Sequence, residues 1–285
     1  MDHRARPYRS VLYIPGSKPR ALDKARTLSV DAIIFDLEDA VSLEEKVNAR
    51  DTLKEALATG GYGNRMKIVR INGLDTEWGA EDAAAVCQMD ADAVLLPKVD
   101  SPDDLDALAA ITGDLPIWAM METPRGMLNA DAIAAHPKLQ GMVMGTNDLA
   151  KELQTRFRAD RVPLLTSLGL CVLAAKANGV VIVDGVYNAF KDDEGLKVEC
   201  DQGRDMGFDG KTLIHPAQVD VTNAAFAPSE AEIDLARRQI AAFEEAEAAG
   251  QGVAVVDGKI VENLHVATAR EILAKAEAID TMAAG

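Results

Sequence analysis

Short apolar runs, each closed by a polar or chain-breaking residue, recur along most of this chain. The first four are 11–14, closed by Pro15-Gly16; 32–35, closed by Asp36-Leu37-Glu38-Asp39; 67–71, closed by Asn72-Gly73; and 93–96, closed by Pro97-Lys98. The next four are 116–121, running into Glu122; 141–144; 180–183, closed by Asp184-Gly185; and 211–214, closed by His215-Pro216. They are too short for helices and read as buried strands. Segments 18–28, 44–58, 103–111 and 126–135 have helical composition and lie between runs, so successive strands are parallel. Eight such units over residues 11–225 predict a (β/α)8 barrel, an α/β fold with its site at the C-terminal ends of the strands. A doubly wound open sheet competes, but the chain has no glycine-rich nucleotide fingerprint.

Beyond the barrel the pattern changes. Residues 229–248 form an amphipathic acidic helix opened by Ser229 and Glu232 in capping-box spacing. Gly250 and Gly252 break it. Residues 253–262 read as a hairpin turning at Asp257-Gly258, and 263–279 as a final helix. The division expected is a catalytic barrel over 1–228 and an arm over 229–285, the arm acting as a lid on its own or a neighbouring subunit.

Polar residues gather where the strands end: Tyr13, Glu38, Asp39, Arg70, Asn72, Lys98, Glu122, Asp148, Asp184 and His215. Glu122 and Asp148 follow adjacent parallel strands, so they can converge on one hard divalent cation. Mg²⁺ takes one or two carboxylates with substrate and water completing its shell. A helix-capping role for Asp148 and a surface role for Glu122 are the alternative. Arg70 has the fork that grips a carboxylate, or else it closes an ion pair with Glu38 or Asp39. Glu38 and Asp39 exceed what one Mg²⁺ requires and could anchor its waters or orient Arg70. Metal and Arg70 together suit a 2-oxo or 2-hydroxy acid. His215 reads as a base or as a hydrogen-bonding residue closing a strand. Met120, Met121, Met127, Met142 and Met144 read first as packing.

Charge and cysteine content narrow the class. Over 285 residues, 30 Lys and Arg against 46 Asp and Glu leave a net charge of −16. That argues against nucleic acid and anionic membranes as partners. The first 26 residues are locally basic, with Arg4, Arg6, Arg9, Lys18, Arg20, Lys24 and Arg26 against Asp2 and Asp23. That entry suits a phosphate-bearing small ligand, or it is a solvated face. Cys87, Cys171 and Cys200 have no metal-type spacing and read as small core residues in a reducing compartment, with a nucleophile as the second reading. No apolar stretch reaches membrane-spanning length and no leader-like apolar run opens the chain, so a cytoplasmic location is expected.

Longer motifs carry a resemblance. RSVLYIPGS at 9–17, DLEDAV at 36–41, VRIN at 69–72, LLPKV at 95–99, METPRGMLN at 121–129, GTNDLA at 145–150, VDGVY at 183–187 and GFDGKTLIHPAQ at 207–218 span nearly the whole chain. Together they resemble the citrate lyase β-subunit family of Mg²⁺-dependent acyl-CoA lyases and thioesterases. METPRGMLN, MGTNDLAKEL, DGVYNAF and DGKIVENLH look most like its malyl-CoA-hydrolysing branch. The resemblance implies Glu122 and Asp148 as Mg²⁺ ligands and Arg70 as the residue holding the substrate carboxylate. It places the CoA moiety near Tyr13, Pro15, Ser17, Lys18, Arg20 and Lys24. It also implies a homotrimer or homohexamer whose arm covers the neighbour's site. Where lyases of the family have a Met-Ile-Asp-like catalytic motif, this chain has Ile260-Val261-Glu262. A longer carboxylate displaces a carbon-directed base, whereas hydrolysis needs only a positioned water. The expected reaction is therefore Mg²⁺-dependent hydrolysis of a short hydroxyacyl-CoA thioester, (3S)-malyl-CoA, with Glu262, Arg70, Glu38 and Asp39 as its catalytic group. Reversible cleavage to acetyl-CoA and a 2-oxo acid is the runner-up, and a citrate lyase β-type subunit the third reading.

Overall fold

The computed structural model describes residues 6–283; Asp2 and Arg4 of the basic segment lie outside them. The chain divides into two compact units, Tyr8–Phe226 and Ala227–Gly285 with Met1–Pro7. The first is a closed barrel of parallel strands in sequence order: β1 (Ser10–Pro15), β2 (Ala32–Asp36), β3 (Met66–Arg70), β4 (Ala93–Leu96), β5 (Ile117–Met121), β6 (Leu139–Met144), β7 (Val181–Asp184) and β8 (Gly210–Leu213). β1 pairs with β8, with Val11 opposite Thr212, and this pairing closes the ring. All eight predicted runs are strands, with ends within two residues of those expected. The crossover expected over 126–135 is two short helices, Pro124–Leu128 and Ala130–Ala134, joined at Asn129.

Each strand is buried on both faces because side chains alternate between two apolar layers. Val11, Ala32, Ile34, Ile68, Leu95, Trp118, Met120, Val143, Val181 and Val183 fill the barrel interior. Leu12, Ile33, Phe35, Val69, Leu96, Ala119, Met142 and Ile182 pack under the helices. This two-residue period decides which way the polar residues at the strand ends face. Tyr13, Asp36, Arg70 and Glu122 continue the interior rows of Val11, Ile34, Ile68 and Met120. Asp184 continues the row of Ile182, towards the helices.

The second unit has its own small core of Ala246, Ala254, Val256, Val261 and Val266. Helix Glu230–Ala248 opens with the reciprocal cap: the Glu232 N–H donates to Ser229 Oγ at 3.2 Å, and the Ser229 N–H to Glu232 Oε2 at 2.7 Å. β9 (Ala254–Val256) and β10 (Lys259–Val261) form the hairpin. Asp257 and Gly258 turn it with φ of 51° and 75°, the left-handed pair that a two-residue turn demands. Helix Asn263–Ala283 follows.

Barrel closure leaves no room at the start of β8. A Cβ on Gly210 would lie 1.7 Å from the Tyr8 carbonyl oxygen, a backbone atom with no freedom to retreat. Gly210→Ala must therefore open the β1–β8 seam, and urea unfolding should register a loss of about 3 kcal/mol. An unchanged midpoint would mean that the seam is softer than this contact requires.

Candidate functional site

At the C-terminal mouth of the barrel, alternation brings acids together inside a low-dielectric wall. Asp36 and Arg70 are register partners on β2 and β3. Arg70 Nε donates to Asp36 Oδ1 at 2.7 Å and Nη2 to Oδ2 at 2.6 Å, a two-point grip. Its Nη1 lies 2.8 Å from Glu38 Oε2 and 3.5 Å from Asp39 Oδ2, and the Tyr13 ring covers the guanidinium at 4.9 Å. Burial opposes the Arg70 charge, yet Asp36 above all holds it well above its ordinary value. Arg70 is thus an ion-pair residue, and its main partner is Asp36 rather than Glu38 or Asp39.

Glu122 sits just past β5 and is 2% exposed. Lys98 N–H donates to its Oε1 at 2.9 Å, from a backbone held left-handed at φ 51°. Gly145, just past β6, makes room for it: a Cβ there would lie 2.3 Å from Glu122 Oε2. Asp148 stands in the first turn of helix Thr146–Glu152, whose N-cap is Gly145, so Asp148 does not cap that helix. Burial pushes Glu122 up to about 7, with Glu38 and Asp148 repelling its charge and the Lys98 N–H opposing. Burial likewise raises Glu38 to about 7, against Arg70 and with Asp39 and Asp36.

Tyr13, Asp36, Asp39, Arg70, Glu122 and Asp148 line one cavity of about 300 Å³, together with Met120 and Met144. Glu38 faces a neighbouring cavity with Lys98. Among the described residues no three His, Cys, Asp or Glu converge as a complete metal cage. Two oxygen donors open to the cavity nevertheless fit Mg²⁺, which leaves the rest of its shell to substrate and water. Glu122, buried with one N–H donor on Oε1 and repelled by two acids, is the kind of group a cation stabilises.

Other rim residues do structural work. Asn72 donates to Leu37 O and Asp82 Oδ2 at 2.9 and 2.6 Å. Asp184 is wholly buried in the helix layer, bonded by Arg161 and Lys211. His215 Nδ1 accepts the Ala217 N–H at 3.1 Å as a cap, and its ring stacks on Phe190. All five methionines are buried, as packing requires, although Met120 Sδ also takes the Tyr13 hydroxyl at 3.3 Å. Cys171 and Cys200 are core residues, but Cys87 is exposed because it falls at the C-cap of a surface helix.

Of the basic segment, Arg9 is tied to Asp31 and Arg26 to Asp23 and the Gly60 carbonyl. Lys18, Arg20 and Lys24 are exposed on and just before helix Pro19–Ala25, with Lys18 near Glu45 at 3.1 Å; Pro15 and Ser17 are half-buried before them. Glu262 is exposed just past β10, its N–H donating to His265 Nδ1 at 3.0 Å. Sequence reasoning missed Asp36 and Lys46. Lys46 Nζ, itself buried, donates to Leu37 O and Glu38 O at 3.1 and 2.6 Å and fixes the acidic loop. Strand parity was the available signal for Asp36.

These features define a class: a (β/α)8 barrel whose mouth carries oxygen donors for a hard cation beside a buried guanidinium. The model of the HpcH/HpaI aldolase/citrate lyase family matches residues 9–216, and the chain belongs to that family. A second model, a C–C bond lyase of the TIM-barrel fold, matches residues 163–280. The chain is 68% identical over 279 residues, 98% of each chain, to (3S)-malyl-CoA thioesterase of Cereibacter sphaeroides. It is 35% identical to citrate lyase subunit beta of Escherichia coli, over 97% of this chain and 95% of that one. The structure of CitE from Mycobacterium tuberculosis in complex with magnesium, acetoacetate and coenzyme A superposes with a TM-score of 0.81. It is 30% identical, with 96% of this chain and 99% of that one covered.

The raised acid gives a sign-definite prediction. Glu122 binds its proton at about 7 when folded, against an ordinary 4.5, so the folded state holds more protons between those values. Its ionisation thus costs stability above pH 7, and the cost vanishes below about pH 4.5. In EDTA at pH 8, Glu122→Gln should be more stable than the parent by on the order of 2 kcal/mol, with the two converging near pH 5. Urea unfolding at both pH values checks it. A Gln variant weaker than the parent at pH 8 would show that the ionised carboxylate is not strained.

Proposed function

We propose that this protein hydrolyses (3S)-malyl-CoA to malate and CoA with Mg²⁺. The pairing of Glu122 and Asp148 in one cavity that Arg70 also lines carries this reading, and the near full-length likeness to (3S)-malyl-CoA thioesterase supports it. Glu122 and Asp148 would hold the metal, which when bound polarises a substrate oxygen. Nη1 of Arg70 faces Glu38 and Asp39, but Nη2 keeps one hydrogen beyond that given to Asp36, and this holds the malyl carboxylate. Asp36, Glu38 and Asp39 orient that guanidinium. The exposed Lys18, Arg20 and Lys24 take the CoA phosphates, with Tyr13, Pro15 and Ser17 beside them.

Glu262 activates the water as general base. It stands beside an apolar surface: Val255 and Ile260, opposite each other in the hairpin register, are 66% and 62% exposed, and Leu264 is 62% exposed. Such a patch next to a carboxylate suits an arm that lies over a neighbouring subunit. We therefore read the protein as a cytoplasmic homotrimer or homohexamer, with 1–228 as catalytic barrel and 229–285 as covering arm. Among the described residues no helix is long and apolar enough to cross a membrane.

The test is product analysis with (3S)-malyl-CoA and Mg²⁺, following free thiol while trapping glyoxylate. Free CoA and malate without glyoxylate are expected. Acetyl-CoA and glyoxylate without free thiol would make the protein a lyase, and turnover by the purified homo-oligomer with no partner present would rule out an obligatory subunit of a larger assembly. Glu122→Ala and Asp148→Ala should each lower kcat/KM about a thousandfold, roughly 4 kcal/mol. Glu262→Gln should lower kcat about a hundredfold with little change in KM. A full rate in Glu262→Gln would remove its role as base.

A further inference from the structure

A second cavity of about 340 Å³ lies beside the catalytic one, sharing only Thr146, Asn147 and Val186 with it. Its outer wall is the irregular segment between helix Thr146–Glu152 and the short turn Val162–Leu164. Gln154 and Arg161 bracket this segment with φ of 54° and 52°, left-handed at non-glycine positions. Such conformations cost of order 1 kcal/mol each and persist where surroundings impose them, often at ligand clamps. The segment leaves Phe157 69% exposed against the cavity, where packing alone would have covered it.

The polar wall is unusual. Arg161 is 5% exposed; its Nη1 binds Asp184 at 2.7 and 2.8 Å and its Nε binds Gln202 at 2.7 Å. Its Nη2 is buried with no hydrogen-bond partner, so the guanidinium in this wall is not fully neutralised by its neighbours. Arg161 and Lys211 are balanced by Asp184 and Glu199, and Arg158 by Asp160 at 2.5 Å. Arg156, exposed and without an ion pair among the described residues, leaves the cavity one positive charge in excess.

We propose that this cavity is a second ligand site, for a small organic monoanion. Its oxyanion head pairs with Arg156, the cavity's unmatched cation, with the Arg161 guanidinium behind it in the wall, and its apolar body rests on Phe157, Pro163, Leu164 and Val186. The inference rests on the cavity alone, so it stands or falls separately from the malyl-CoA reading. Asn147 forms the shared wall and exchanges amide hydrogen bonds with Asn188 at 2.9 and 3.2 Å. Asn147 also adjoins Asp148, so an occupant touches the segment that carries the proposed metal ligand.

The experiment is ¹⁹F NMR titration of the full-length protein with 4-fluorobenzoate. Saturable binding is expected, at least tenfold weaker for the neutral 4-fluorobenzamide and for the Arg156→Gln and Phe157→Ala variants, and retained with saturating CoA. Ala189→Trp, an exposed lining position away from the buried ion pairs, should abolish it without altering turnover of malyl-CoA. Absence of saturable binding, equal binding in Ala189→Trp, displacement by inorganic phosphate at equal affinity, or displacement by CoA would each overturn the proposal. The last would assign the cavity to the substrate's own arm.

Discussion

Carboxylates outnumber their partners at the mouth of this barrel. Asp36, Glu38, Asp39, Glu122 and Asp148 gather around Arg70, and Asp36 alone takes two of its donors. Burial, reinforced by repulsion from neighbouring acids, holds Glu38 and Glu122 near 7. A structure built only for stability would have replaced these acids with apolar residues. Retaining them leaves a site in need of a cation, and that need is the physical basis for assigning Mg²⁺ here.

The scaffold makes this crowding tolerable by anchoring Glu122 through a backbone N–H and the acidic loop through its carbonyls. The Lys98 N–H holds Glu122, the Gly145 gap lets it lie across the end of β6, and Lys46 clamps two carbonyls of the acidic loop. A left-handed residue and a glycine cost conformational freedom, but they place a charged oxygen with little reorganisation when a ligand arrives. The same logic separates Asp184 from the mouth. One residue of strand phase sends it to the helix layer, where Arg161 and Lys211 neutralise it completely.

That one-residue phase also explains what the sequence could and could not show. The strands, the barrel and the arm were legible because their signals are local: apolar period, turn dipeptides and the Ser229–Glu232 cap. That Glu122 and Asp148 line one cavity was legible because both follow strand ends in adjacent units. Treating every strand-end residue as part of one rim was the weaker step, since Asn72, Asp184 and His215 sit at the right height but serve as struts and caps. Carrying the alternation of Ile34 and Ile68 one step further would have placed Asp36 opposite Arg70. The excess cation on the 153–161 segment was not legible, because which arginine finds an acid depends on tertiary distances that no local pattern encodes.

Hydrolysis and carbon–carbon cleavage make the same demands on most of this site. Both need the substrate oxygen polarised, the carboxylate anchored and the CoA arm held, and none of the barrel residues distinguishes them. On the reading proposed above, the distinction falls on what Glu262 meets. A base that takes a proton from a substrate atom must stand within hydrogen-bond reach of that atom, where an added methylene in Glu262 moves its oxygen by an ångström or so. A base that takes a proton from water is less constrained, because the water can shift to keep both contacts. If so, Glu262→Asp should weaken hydrolysis far less than Glu262→Gln, since charge and basicity survive while reach changes. Comparison of the two rates on (3S)-malyl-CoA therefore separates a water-activating carboxylate from one that must touch the substrate.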